Sequence, residues 1–120
     1  MLDTTVLIDL LRGNERARRF MLSHDAVPHA SEVSRIEVWR GVRTSERAAT
    51  EALFSSLAWH PLDEVVARRA GELGRDWRDS HSHIALADLA VAATAELNGL
   101  AVATANVRHF PMFDALSPPY

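Results

Sequence analysis

The chain contains no cysteine. That excludes disulfides, thiolate nucleophiles, zinc ribbons and iron–sulfur clusters, and leaves oxygen or imidazole as donors for any metal site. Lysine is absent too, since all 13 basic residues are arginine. The planar guanidinium fork suits phosphate, although an alanine-rich, lysine-free composition follows equally from codon bias. Against 16 acids the net charge is −3, with residues 1–60 neutral and the second half carrying the excess. This balance excludes a nucleic-acid coat that works by bulk positive charge and leaves room for a local site. No stretch free of charged residues exceeds 11, the length of 97–107. A bilayer span needs roughly 18, so none is expected. Asp3 and Asp9 precede the first positive charge at Arg12, the reverse of a secretory leader, and a cytoplasmic location is the expectation.

What is present favours closely packed helices. Of 57 apolar residues, 19 are alanine, and the length of 120 residues suits one domain, 1–120, with a single core. No repeat, linker or low-complexity segment interrupts it. The pattern predicts a very short strand over 1–3, a helical turn over 6–11 closed by Arg12-Gly13-Asn14, and a helix over 15–22. A strand over 26–30 leads into a helix that Ser31 caps and that runs to about 43, followed by a helix over 46–57. A strand over 59–62, a helix from the cap Asp63 to 78 and a polar loop over 79–83 come next. The end of the chain reads as a helix over 86–97, a buried strand over 100–104 and an edge strand over 113–116. Short apolar strands alternating with helices imply a parallel sheet covered on both faces, an α/β class. In such sheets ligands gather beyond the carboxyl ends of the strands, where Asp3 and Thr104 to Asn106 fall.

Three acids occupy unsuitable places. Asp88 shares a helix face with Ile84, Val91, Ala92 and Ala95, and a carboxylate among such neighbours is costly unless paired or bound to metal. Glu37 sits among Ile36, Val38 and Trp39, with Arg40 near enough to pair with it instead. Asp3 ends a strand and has helix capping as its alternative role. Carboxylates from distant segments suit a hard divalent cation, and two such ions support in-line hydrolysis of a phosphodiester.

The segments Leu2-Asp3-Thr4-Thr5-Val6-Leu7-Ile8-Asp9, Ser34-Arg35-Ile36-Glu37-Val38 with Gly41, Asp88-Leu89-Ala90-Val91-Ala92-Ala93-Thr94-Ala95 with Gly99, and Thr104-Ala105-Asn106-Val107-Arg108-His109-Phe110 resemble PIN-domain ribonucleases. Most similar are the VapC toxins of bacterial toxin–antitoxin pairs. The resemblance implies a three-layer α/β/α fold with a short parallel central sheet. It also implies a Mg2+- or Mn2+-dependent endoribonuclease whose acids Asp3, Glu37 and Asp88 hold the metal, with Asn106 completing the catalytic set and Thr5 and Thr104 supporting it. Structured RNA, often tRNA, a homodimer, a VapB-like antitoxin and DNA contact only through that antitoxin follow from the same resemblance. The chain departs from the pattern in having two residues before Asp3, in Asn106 where some relatives carry aspartate, and in His81 where glycine is common.

Other residues have two readings each. Arg12, Arg16, Arg18 and Arg19 form a phosphate track or a solvated helix face. His109 touches RNA or anchors the last turn with Phe110. His81 and His83 bind a transition metal or line a solvated loop. Trp39, Trp59 and Trp77 stack on bases or pack in the core. Phe20, Trp39 and Val42, among arginines, are expected to exceed what the core can bury and to receive the antitoxin. The competing function, from another class, is a PIN-like binding module that works through an antitoxin–DNA complex without turnover.

Overall fold

Met1 and Leu2 belong to different hydrophobic cores, as successive strand residues must when both faces of a sheet are covered. In this computed structural model, which describes residues 1–120, Leu2 bridges in parallel to Ala30 on one side and to Ala103 on the other. Ala30 lies in β1 (His29–Ser31), which pairs in parallel with β2 (Ala58–His60), Ala30 opposite Trp59. The sheet therefore runs from Ala103 through Leu2 and β1 to β2, every neighbour parallel. The chain steps outward in one direction from Leu2 and returns for Ala103 on its other side. A reversal of this kind opens a crevice at the carboxyl ends of the two segments that flank it, here at Asp3 and Thr104.

Helices cover both faces. On one, α1 (Thr4–Leu11), α2 (Glu15–Leu22) and α4 (Arg47–Ser55) enclose Leu2, Val6, Leu7, Ala30, Phe54 and Leu57. On the other, α5 (Glu64–Trp77) and α6 (Leu86–Leu97) enclose Met1, Val66, Leu73, Val91, Val102 and Phe110. Between them α3 (Glu32–Trp39) contributes Val38 to the first core and packs Val33 on the second. Asn14, Ser31 and Asp63 cap α2, α3 and α5 by accepting backbone N–H groups. Every residue from Leu89 to Ala95 is buried, so α6 is apolar around its circumference, as a helix enclosed on all sides must be.

The expected order of elements holds, and most of the boundaries move. Helix one begins at Thr4 rather than residue 6, because Asp3 already has extended geometry and ends the strand. The third helix stops at Trp39 rather than near 43, where Gly41 weakens continuation and Arg43 turns extended. The fourth starts as a 3-10 turn at Thr44–Glu46 and becomes α-helical at Arg47. The strand expected over 59–62 lies one residue earlier and ends at His60, and the one expected over 26–30 lies at 29–31. The strand expected over 100–104 reduces to one bridge at Ala103: Ala103 donates to the Met1 carbonyl at 2.8 Å and Asp3 donates to the Ala103 carbonyl at 2.9 Å. No edge strand forms over 113–116, where Ala115 has φ 56°, a left-handed value that breaks an extended run.

The seat of α6 against α5 depends on Gly74, where an added Cβ would lie 2.9 Å from Leu89 Cδ1, whereas the same atom on Gly71 meets nothing within 4 Å. Gly71→Ala is expected to stabilise the protein by about 0.5–1 kcal/mol through helix propensity. Gly74→Ala should lose that gain to repacking of Leu89. Urea denaturation of the two variants beside the wild type measures the difference.

Candidate active site

Asp3 follows Leu2 at the crevice and is 3% exposed. It stands at the N-cap position of α1, yet its carboxylate makes no capping bond. Instead Oδ2 accepts the hydroxyls of Thr5 at 2.9 Å and Thr104 at 2.8 Å. Each hydroxyl also accepts a loop amide, Thr5 from Ala105 N–H at 3.1 Å and Thr104 from Asn106 N–H at 2.9 Å. One carboxylate oxygen thus ties the first strand to the segment after Ala103 through charge-assisted bonds. Strand alternation turns Asp3 to the same side as Met1, the side covered by α6.

Glu37, one turn from the end of α3, accepts the Thr4 hydroxyl on Oε1 at 2.6 Å, and Thr4 Oγ1 lies 3.0 Å from the buried Ser34 Oγ. It forms no ion pair with Arg40; the pair on that helix is Arg35 with Glu32, 2.6 Å apart. Thr4 and Ser34 were not foreseen as site residues. Ser34 stands three residues before Glu37 and shares its face, so the spacing did carry that signal.

Asp88 lies in the first turn of α6, at the mouth of the buried helix rather than within its apolar stripe, and its side chain retains 14% exposure. Its Oδ2 accepts the Ala85 N–H at 3.1 Å and lies 3.1 Å from His109 Nδ1. Burial raises the Asp88 pKa above the ordinary carboxylate value and the Asp3 charge adds to that, against the opposing pull of the Ala85 N–H and His109. His109 ends a 3-10 turn, Val107–His109, that begins just after Asn106. The Asn106 side chain makes no capping bond and is exposed beside Thr104.

On each acid one oxygen is engaged, Oδ2 of Asp3, Oε1 of Glu37 and Oδ2 of Asp88. The second oxygen receives no donor from the chain and meets solvent, since no buried side-chain oxygen lacks a partner. Hard oxygen donors backed in this way fit Mg2+ or Mn2+, which keep water and phosphate in the remaining positions. No three acidic or imidazole side chains converge closely enough to enclose an ion by themselves. The acids are linked more loosely, the Asp3 charge acting on Asp88 and Thr4, next to Asp3, bonding Glu37, and the two histidines His81 and His83 likewise belong to no closed metal group.

Arg12 and Arg16 are exposed at the C-cap of α1 and in the first turn of α2, and neither forms an ion pair. The surface expected to receive a partner is smaller than foreseen, because Phe20 and Val42 pack on the core beside α1 and only Trp39 of the three, at 41%, remains exposed. Trp59 donates Nε1–H to the Phe54 carbonyl and lies under Arg35, whose Cζ is 3.9 Å from its ring centre. It is a packing residue.

The model of the PIN domain family matches residues 1–115. This chain belongs to the PIN-domain family. It is 44% identical over 122 residues to Ribonuclease VapC10 of Mycobacterium tuberculosis, covering 100% of this chain and 92% of that protein. Ribonuclease VapC19 of the same organism is 43% identical over 123 residues, covering 100% and 98%. Among solved structures, a toxin–antitoxin complex from Klebsiella pneumoniae matches with TM-score 0.85 at 24% identity over 99% of this chain and 96% of that one, a likeness of fold. FitAcB from Neisseria gonorrhoeae matches with TM-score 0.75 at 27% identity over 91% and 88%. The α/β architecture with a short parallel sheet is that of the family.

The raised pKa of Asp88 has a sign that a melt can read. Between the ordinary carboxylate pKa and the raised one, the folded state binds the proton more tightly than the unfolded chain, so stability falls as pH rises through that interval. Asp88→Asn is therefore expected to raise the melting temperature at pH 7 in chelator. Its advantage should vanish below about pH 4, where the wild-type carboxyl is neutral in both states. Melting curves at both pH values check it.

Proposed function

We propose that this protein is the toxin of a toxin–antitoxin pair, a metal-dependent endoribonuclease that hydrolyses phosphodiester bonds in structured RNA, tRNA among them. The observation that carries this is the full-length identity to two proteins named ribonucleases, joined to a crevice in which Asp3, Glu37 and Asp88 each keep one oxygen open. Residues 1–120 act as one domain, as a homodimer in the cytoplasm. A VapB-like antitoxin restrains it and makes its only contact with DNA.

Asp3, Glu37 and Asp88 would hold Mg2+ or Mn2+. Such an ion supplies a Lewis acid for the phosphoryl oxygen and lowers the pKa of the attacking water. Thr5 and Thr104 keep Asp3 in a single orientation by engaging Oδ2. The free Asn106 amide orients water or donates to a phosphate oxygen. Arg12 and Arg16 position the backbone, and His109 holds Asp88 while offering Nε2 to the RNA. Water, rather than a ribose hydroxyl, is the nucleophile, so the products carry 5′-phosphate and 3′-hydroxyl ends. A binding module without turnover is the second reading, and the lack of a closed three-ligand group is what favours it.

Magnesium at about a hundred times its Kd is expected to stabilise the wild type by ~2.7 kcal/mol and to leave Asp3→Ala unmoved. Equal shifts in thermal melts of both proteins would place the metal elsewhere, and no shift in either would favour the binding module. Glu37→Gln and Asp88→Asn are each expected to lower the rate of RNA cleavage at least ~100-fold, read on gels of end-labelled RNA. A substrate with 2′-deoxyribose at the scissile position should still be cut.

A further inference from the structure

Beside the acids runs a row of rings of which the mechanism uses only His109. Trp77, at the end of α5, stands 5.3 Å from His81 at 72°, His81 is 5.7 Å from His83 at 59°, and His83 is 5.2 Å from His109 at 52°. His109 closes the row on Asp88 Oδ2. The rings meet edge-on or tilted rather than stacked, and His83 is exposed while Trp77, His81 and His109 are half-buried.

The loop that carries the row is held in place. His81 N–H donates to the Trp77 carbonyl at 2.8 Å, His81 Nδ1 lies 2.9 Å from Ser80 Oγ, and His83 Nε2 lies 3.1 Å from the Arg108 carbonyl. Those bonds direct imidazole nitrogens to different partners, which is why the histidines do not form a metal cage. Arg108 is exposed without an ion pair, and Arg78 reaches only the almost fully exposed Asp79 at 3.9 Å. An exposed ring at His83 within a continuous row, an exposed arginine at Arg108 and continuity through His109 with Asp88 suit an unpaired nucleotide, since bases stack on aromatic side chains, histidine included, while arginine takes the phosphate.

We propose that Trp77, His81, His83 and His109 form a stacking subsite for an unpaired nucleobase adjoining the scissile phosphate. This rests on the ribonuclease reading, and it assigns the loop between α5 and α6 a part in selecting which bond is cut. The test uses the Glu37→Gln protein in magnesium, so that RNA binds without turnover, and an unstructured oligoribonucleotide bearing 2-aminopurine at each position in turn. Stacking quenches the fluorophore at one or two adjacent positions. Adding His83→Ala is expected to abolish that quench and to weaken binding about fivefold to tenfold, the low end of what a stacked base contributes. His83→Phe should restore both, because it keeps a ring face and, like alanine, loses the bond to Arg108. Unchanged quench and affinity in His83→Ala would overturn the proposal. So would equal damage from alanine and phenylalanine, which would assign the effect to the loop bond. If the wild type cleaves no RNA and the Glu37→Gln protein binds none, the ribonuclease reading itself fails; cleavage with an indifferent His83 sinks the subsite alone.

Discussion

A single carboxylate oxygen, Oδ2 of Asp3, receives two threonine hydroxyls from segments about a hundred residues apart in sequence. A carboxylate so deeply buried is tolerable only with such donors, and the Thr104 donor is within reach because Ala103 pairs beside Leu2. The first strand and the Ala103 segment are short, yet the hydroxyl bridge ties their carboxyl ends together where few ladder bonds can. Removing either hydroxyl would therefore loosen the sheet and the site at once. The supporting amides of Ala105 and Asn106 extend the same linkage to the turn that bears His109.

Each acid is approached by a different element, and each is backed by a different kind of donor: two hydroxyls for Asp3, one hydroxyl for Glu37, and an amide with an imidazole for Asp88. The backing fixes one oxygen and leaves its twin for solvent or ligand. That division of labour lets a net-negative protein keep a concentrated acidic crevice without closing it, at the cost of a lifted pKa at Asp88.

Much of this was legible in the sequence, for identifiable reasons. Helix caps at Ser31 and Asp63 act through local bonds and stood where expected, and the helix Leu86–Leu97 matched its prediction because its propensity and its burial agree. The acids could be selected because carboxylates at strand ends or among apolar residues conflict with local preference, whereas Thr5 and Thr104 came only from the family resemblance. Strand lengths were not legible: they depend on how many residues the partner segment supplies, which is a property of pairing and not of either segment. The role of Thr4 was missed because its partners Ser34 and Glu37 are distant in sequence, and the size of the exposed partner surface was overestimated because Phe20 and Val42 find cover only in three dimensions.

The uniform burial of α6 from Leu89 to Ala95 bears on how long the site persists. Amides enclosed this way exchange with solvent only through openings close in free energy to global unfolding, whereas exposed loops open at almost no cost. Asp88 stands at the boundary between the two, with the enclosed helix behind it and the more exposed loop 79–83 before it. A substitution in that loop therefore meets solvent rather than the core, whereas one on the enclosed face of α6 disturbs the packing that holds Asp88 in place.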